Sequence, residues 1–306
     1  MKRVQKKKEA NRISKSILTA IRNRPGFRPL NANITGGDIV IASYNVHKCI
    51  GIDKQFNPQR TADVISEIDA DVIALQEADK RFGERSGLLD LGLLERRHGL
   101  IPVPITSTMP KGHGWHGNVL LFREGIVRNV QQLKLPGVEP RGALVADLQF
   151  PAGPLRVIAA HLGLLKRSRE QQAESILTAL QEADTLPTLL IGDLNEWRIG
   201  KRSSLAALMP TFNHVATAVP SFPSRFPVFA LDRVMGAPHN LVTSVEVHNT
   251  PLARLASDHL PIKAHLDLKT AIDLLHNLNP EIPQSQANTQ HAALRAQLRH
   301  ISSSKD

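Results

Sequence analysis

The chain has 306 residues, 42% hydrophobic and 22% charged, enough to bury a sizeable core in one large domain or two average ones. No apolar run approaches the ~18 residues that span a bilayer as a helix, and the single cysteine, Cys49, excludes an internal disulfide and any multi-cysteine zinc centre. The net charge of +10 is concentrated: residues 1–36 hold ten of the 38 Lys and Arg but one of the 28 Asp and Glu, so the rest is close to neutral.

The opening stretch is too basic along its length for a secretory signal, which sets the expectation of a cytoplasmic protein. From Lys7 to Arg22 it is helix-compatible, with Ile13, Ile17 and Ile21 at i, i+4 and i+8 and Pro25-Gly26 as the stop. Such a leader can lie on an anionic membrane, touch nucleic acid, dock on its own domain or stay a solvated arm. From Asp38 the texture changes. "DIVIASYNV" reads as a strand, "NPQRTADVISEIDA" as a helix facing inward through Ala62, Ile65 and Ile68, and "DVIALQEAD" as a strand again. Segment 80–116, rich in Gly, Arg and His, reads as excursion loops. Further strands are expected at 117–123, 141–150, 155–162, within 188–197, 229–236, 241–248 and 261–268. A long helix is expected over 166–184, with Ile176, Leu177 and Leu180 inward. One helix follows Lys269, then a Pro/Gln/Asn-rich stretch and a helix-prone tail. Three parts result: a leader (1–36), a mixed-sheet α/β domain (37–268) and a tail (269–306).

Five segments end or interrupt an apolar strand with chemistry-bearing side chains. They supply Asn45 in "SYNVHK", Glu77 in "ALQEAD", His161 in "VIAAHL", Asp193 and Asn195 in "IGDLNEW", and Asp258 with His259 in "ASDHL"; "ALDRV" adds Asp232. Residues two apart on extended backbone project to one face, so Asp193 and Asn195 point together at a strand's carboxyl end. Taken singly, each is as well explained by a turn, a satisfied core imidazole or a surface acid. Five strand ends repeating the pattern are not what core packing predicts. The carboxylates and amide oxygens are hard donors suited to Mg²⁺ or Mn²⁺, and His259 oriented by Asp232 has the arrangement of a proton-transfer group. Lys48, Arg141 and Arg233 beside the motifs read either as holders of substrate phosphate or as structural charges. His47, His113 and His116 mark a substrate-facing loop, and Trp115 and Trp197 read as packing residues.

In the order "YNVH", "LQE", "HL", "GDLN", "LDRV", "SDH", the chain resembles the endonuclease/exonuclease/phosphatase family over about residues 38–268. That family includes pancreatic-type deoxyribonucleases, abasic-site endonucleases, neutral sphingomyelinases and inositol polyphosphate 5-phosphatases. The resemblance implies a four-layer α/β sandwich, two mixed sheets face to face with helices outside, and a Mg²⁺-dependent phosphoesterase. It further implies that Glu77, helped by Asn45 and Asp258, holds the metal. Asp193 and Asn195 would align water and scissile phosphate, His259 with Asp232 would handle a proton or bind phosphate, and His161 would stabilise phosphoryl charge. Asn45, Lys48, Arg141 and Asn195 are the expected substrate contacts. The abasic-site enzymes follow the metal glutamate with Thr-Lys where this chain has Ala78-Asp79, and the near-neutral body lacks the Lys/Arg excess of a duplex-clasping nuclease. Lipid-derived or small phosphoesters are therefore favoured over DNA. A non-catalytic binding module on the same fold is the third reading, against which every motif position is filled.

Overall fold

Burial alternates along the first strand, and that alternation builds the layers. In β1 (Asp38–Asn45), Ile39 and Ile41 enter one core while Ala42 and Tyr44 enter another. The computed structural model describes residues 38–278 apart from 82, 107–110, 182 and 213–217. The expected leader helix and the tail beyond 278 lie outside the described residues.

After β1 come α1 (Pro58–Ile68), β2 (Val72–Gln76), α2 (Leu91–His98), β3 (Ile101–Pro102) and β4 (Val119–Phe122). They are followed by β5 (Ile126–Leu135), β6 (Arg141–Phe150), β7 (Gly153–His161), α3 (Lys166–Gln181) and β8 (Thr188–Asp193). The last elements are β9 (Asp232–Ala237), β10 (Val242–Val247), α4 (Pro251–Ala256), β11 (Ile262–Asp267) and α5 (Leu268–Leu278). One sheet has six strands in the order β10-β11-β1-β2-β4-β3 and the other five in the order β5-β6-β7-β8-β9. Each sheet is mixed, with one parallel pair, β1 with β2 and β7 with β8.

The two sheets face each other across a core of alternating residues, including Ile41, Val72 and Phe122 from one and Ala146, Val157 and Ile191 from the other. The outer face of the first sheet is covered by α1 through Ala62, Ile65 and Ile68 and by α4 through Ala253 and Ala256. The outer face of the second is covered by α3 through Ala173 and Ile176. This is the expected four-layer sandwich. Local chemistry starts α1: the Asn57 side chain accepts the Arg60 N–H at 2.9 Å, and Pro58 takes the first turn, where no N–H is needed. α5 places Leu268 and Ala271 in the inter-sheet core and Ile272 against Gly153, where β7 begins. That end of the sandwich is closed; the opposite end, where the parallel strands finish, carries the candidate site.

Several expectations need correction. Segment 80–116 holds α2 and β3 among its loops, because Asp90 caps a helix at the Leu93 N–H and Gly99 ends it in left-handed conformation. β5 was not anticipated: its "IVRNVQQLKL" alternates too weakly, with a bulge between Val127 and Asn129 and exposed residues falling on both faces. The short helix α4 was also missed, and the strand expected from 229 begins only at Asp232.

Candidate active site

Strand register delivers the site residues to one edge. In the first sheet Asn45 pairs with Gln76 at the parallel ends of β1 and β2, so Glu77 leaves β2 beside Asn45. In the second, His161 pairs with Asp193 at the parallel ends of β7 and β8, and Asp193 pairs with Asp232 at the start of antiparallel β9. The two edges meet where Asn45 Nδ2 donates to Asp193 Oδ2 at 2.9 Å. Ser257 closes the group from the loop before β11, donating its hydroxyl to the Asn45 carbonyl at 2.7 Å and accepting the His259 N–H at 3.2 Å.

Asp193 is the hub, and it is 1% exposed. Its Oδ2 also faces His161 Nε2 at 3.5 Å and His259 Nε2 at 3.8 Å, and its Oδ1 accepts the Asn195 N–H at 3.0 Å. His259 Nδ1 donates to Asp232 Oδ2 at 2.9 Å, while the Ser221 hydroxyl donates to the same oxygen. The Phe222 ring lies on the His259 imidazole with centroids 4.8 Å apart. Burial disfavours charge on His259, yet Asp232 and then Asp193 hold its pKa up at about 10. His161 is the opposite case. Burial pushes it down to about 3, with Asp193 pulling the other way and Arg141 and His259 reinforcing the burial. Arg141 Nη1 lies 2.8 Å from both ring nitrogens, and a guanidinium charge so close disfavours a proton on the ring. Two buried histidines thus carry opposite charge states a few ångströms from one carboxylate.

Glu77 is the other pole. Its carboxylate accepts Lys48 Nζ at 2.5 Å. Burial alone would raise its pKa, but the hydrogen bond and charge of Lys48, with His47 and Arg141 behind, hold it below the ordinary glutamate range. Lys48 sits in a left-handed run, His47, Lys48 and Cys49 having φ of 45°, 56° and 57°, and Glu77 and Asn195 leave their strands at 55° and 52°. Non-glycine residues rarely hold this conformation, and its clustering here is typical of functional sites. Asp258 turns aside, its Oδ1 3.5 Å from His47 Nδ1. Asn195 Nδ2 donates to the Leu162 carbonyl at 2.9 Å, leaving its amide oxygen open. Gly192 is obligatory: with φ at 149°, a Cβ there would stand 1.8 Å from the Ala160 carbonyl.

The structure also sorts the remaining candidates. Arg141, 8% exposed, is shared between His161 and Glu139, to which it donates at 2.7 Å. Arg233 donates to the Glu196 carbonyl at 3.1 Å, a structural engagement. His113 is tied to the Leu89 carbonyl at 2.7 Å, and the Trp115 N–H to the Leu133 carbonyl at 2.8 Å. Trp197 does not pack as expected: it stands 49% exposed beside Phe229. Ser221, Ser257 and Glu139 were not singled out from sequence; Ser257, adjoining Asp258-His259, carried the one local signal.

Among the described residues, Asp193, Asp232 and His259 present ligand atoms within 4.8 Å of one another, a geometry that could hold a metal ion. Residues 42–259 match the model of the endonuclease/exonuclease/phosphatase family, and the chain belongs to that family. Its members are metal-dependent hydrolases acting on phosphoester bonds. The chain is similar to an endonuclease/exonuclease/phosphatase structure from Beutenbergia cavernae, with 21% identity, TM-score 0.59, and coverage of 77% of this chain and 72% of that one. It is similar to humanized D. rerio TDP2, with 16% identity, TM-score 0.53, and coverage of 75% and 98%. It is also similar to the human Nocturnin catalytic domain with bound sulfate, with 18% identity, TM-score 0.53, and coverage of 75% and 93%. No functionally curated protein matches the sequence. No helix among the described residues is long and apolar enough to cross a membrane.

Proposed function

We propose that the chain hydrolyses a phosphodiester or phosphomonoester by attack of water on phosphorus, with residues 37–268 as the catalytic unit, 1–36 as a basic leader and 269–306 as a tail. The observation that carries this reading is the meeting of Asn45, His161 and His259 on one oxygen of Asp193, drawn from both sheets. In this reading Asp193 orients the attacking water and accepts its proton. His259, charged and fixed by Asp232 and Ser221, supplies positive charge and a proton from Nε2 toward a phosphoryl or leaving oxygen. His161, kept neutral against Arg141, offers a hydrogen bond without charge, and the open amide oxygen of Asn195 orients water or substrate. Lys48 and Arg141 are the cations within reach of a substrate phosphate.

The donor set fits a hard divalent cation, Mg²⁺ or Mn²⁺. Glu77 is a carboxylate whose charge is met by the flexible amine of Lys48. The Asn45 Oδ1 accepts one N–H, from His47, and keeps a second lone pair. Asp232 Oδ1 is buried without a hydrogen-bond partner. Asp193, Asp232 and His259 form a second group with ligand geometry, but the resemblance points to the glutamate after β2 as the main metal carboxylate. We therefore assign the metal to Glu77 with Asn45, Asp258 lying at the rim. Such a cation polarises phosphoryl oxygens and lowers the pKa of bound water.

Lipid-derived and small phosphoesters are favoured over duplex DNA because Ala78-Asp79, with Asp79 held by Arg85 at 2.7 and 3.1 Å, stands where abasic-site enzymes carry Thr-Lys, and because the chain beyond residue 36 is close to neutral. Nucleic acid is the second reading, supported by a related TDP2 structure complexed with a single-strand DNA product. The test is hydrolysis of bis-p-nitrophenyl phosphate with Mg²⁺ or Mn²⁺, followed by phospholipid vesicles, soluble phosphomonoesters, plasmid and an abasic oligonucleotide. His259→Ala is expected to lower kcat about 10²–10⁴-fold with the fold retained by circular dichroism. Wild-type turnover by that variant would overturn the assignment.

A further inference from the structure

Two segments leave the site directly and meet again at the surface. Trp197 follows Asn195 by two residues, and the 222–229 turn is closed by hydrogen bonds between Phe222 and Phe229, with Phe222 resting on His259. The Trp197 and Phe229 rings are 5.8 Å apart, which joins the segments into one surface. Its side chains are unusually apolar for their exposure: Trp197 is 49% exposed, Ile199 65%, Phe226 80%, Val228 60% and Phe229 40%. Such a concentration beside a cleft marks an interaction site.

The two segments themselves carry charge of one sign, and the neighbouring acid across the chain, Asp258, whose carbonyl accepts the Ser224 N–H at 2.7 Å, turns its carboxylate to His47. Arg198, Lys201, Arg202 and Arg225 are all exposed, and no Asp or Glu occurs in 197–202 or 225–229. Arg198 lies over the Trp197 ring at 4.7 Å; the acid nearest in sequence, Glu196, is buried and engaged by Ser204 and Arg169. Aromatic side chains and arginines alone would also suit the bases of a single strand. Ile199 and Val228 have no stacking face, and the most exposed residue, Phe226, sits at the tip of a turn. Aliphatic and aromatic side chains ringed by cations match the boundary between anionic headgroups and acyl chains.

We propose that this surface docks the cleft on an anionic lipid bilayer, with Trp197, Phe226 and Phe229 entering the headgroup–acyl boundary and the four cations meeting lipid phosphates. The inference rests on the phosphoesterase reading only for what the docked cleft cleaves; the docking itself is read without turnover. The test is flotation of the full chain with vesicles of equal parts phosphatidylglycerol and phosphatidylcholine, and with phosphatidylcholine alone. Acyl-brominated lipid is used to quench tryptophan emission.

Binding to the anionic vesicles with quenching that Trp197→Phe removes is the expected result. The paired variants F226S/V228S and R198E/R202E are expected to bind at least tenfold more weakly at unchanged Tm. Vesicle binding that both pairs leave intact, as the leader alone would give, overturns the proposal. So does equal binding to neutral vesicles, or a single-stranded oligonucleotide that binds tightly and is lost in the same variants while vesicles are ignored. Docking without turnover of any phosphoester would leave this inference standing and remove the catalytic one; turnover of a soluble diester without docking would do the reverse.

Discussion

His161 and His259 face the same carboxylate oxygen, yet environment drives them apart. His161 has its pKa pushed down to about 3, so the unfolded chain takes up a proton there as pH falls below the ordinary histidine value while the folded chain does not. Its contribution to stability is present above about pH 6.5 and lost as pH falls toward 3. His259 is raised to about 10, so its contribution is complete below about pH 6.5 and lost as pH rises through the folded value. The Tm of the metal-free protein is expected to peak near neutrality. The acid limb should flatten in His161→Gln and the alkaline limb in His259→Gln; limbs unchanged in either variant would contradict the assignment. Cys49 supplies a simpler check. Fully buried, with burial pushing its thiol up to about 11, it should resist an aromatic disulfide reagent at pH 8 until the chain is unfolded in denaturant. Labelling at the native rate of a free thiol would show the β1 exit open.

At the level of elements, the polar residues depend on how strands and helices start and stop. β8 can finish with Asp193 beside His161 because Gly192 lets the chain approach the Ala160 carbonyl, a passage closed to any side chain. The left-handed exits at Glu77 and Asn195 then turn the chain sharply at the sheet edge. On the far face, α1 is anchored by the Asn57 cap and buries Ile65 and Ile68 under β1 and β2. Asn57→Ala should cost about 1 kcal/mol and lower Tm by about 2–4 °C in a domain of this size. Both are measured by thermal and urea denaturation, with kcat unchanged because alanine keeps the backbone bond from residue 57 to the Cys49 carbonyl that steadies the run beside Lys48. A loss of activity at full stability would mean that α1 acts on the site directly.

For the whole molecule, the site exists only because two sheets present their edges at one end while α5 closes the other. A divalent cation held by Glu77 and Asn45, as proposed, would tie together groups that both lie on the first sheet, whereas Asn45 and Asp193 already join the sheets without it. Chelation with EDTA is therefore expected to abolish turnover and leave the far-UV spectrum intact. Restored Mg²⁺ should recover turnover and raise Tm by mass action as its concentration rises. Full turnover in excess EDTA would exclude the metal reading; unfolding by EDTA would make the metal structural.

Much of this was legible in one dimension. The strands β1, β2, β7 and β8 are written in runs such as "VIALQ" and "TLLIGD", because a strand buried on both faces needs near-continuous apolar side chains. Asn45, Glu77, His161, Asp193 and His259 were visible as polar interruptions of those runs. β5 and α4 were not, since one has little hydrophobic contrast between its faces and a bulge, and the other is a helix of only six residues. The partners that tune the site were also hidden. Ser221 reaches Asp232 and Ser257 reaches Asn45 only after the chain has folded back on itself, and serines in loops carry no periodic signal.

The order of residues determined the mixed-sheet α/β class, the strand ends and the chemical types available, because burial periodicity and donor chemistry are local properties; the four layers were implied by the family resemblance. Tertiary structure alone decided that Asn45 and Asp193, 148 positions apart, share a hydrogen bond, that one histidine is charged and its neighbour neutral, and that Trp197 faces outward. Those outcomes depend on distance and desolvation, and both are set only when the sheets close on each other.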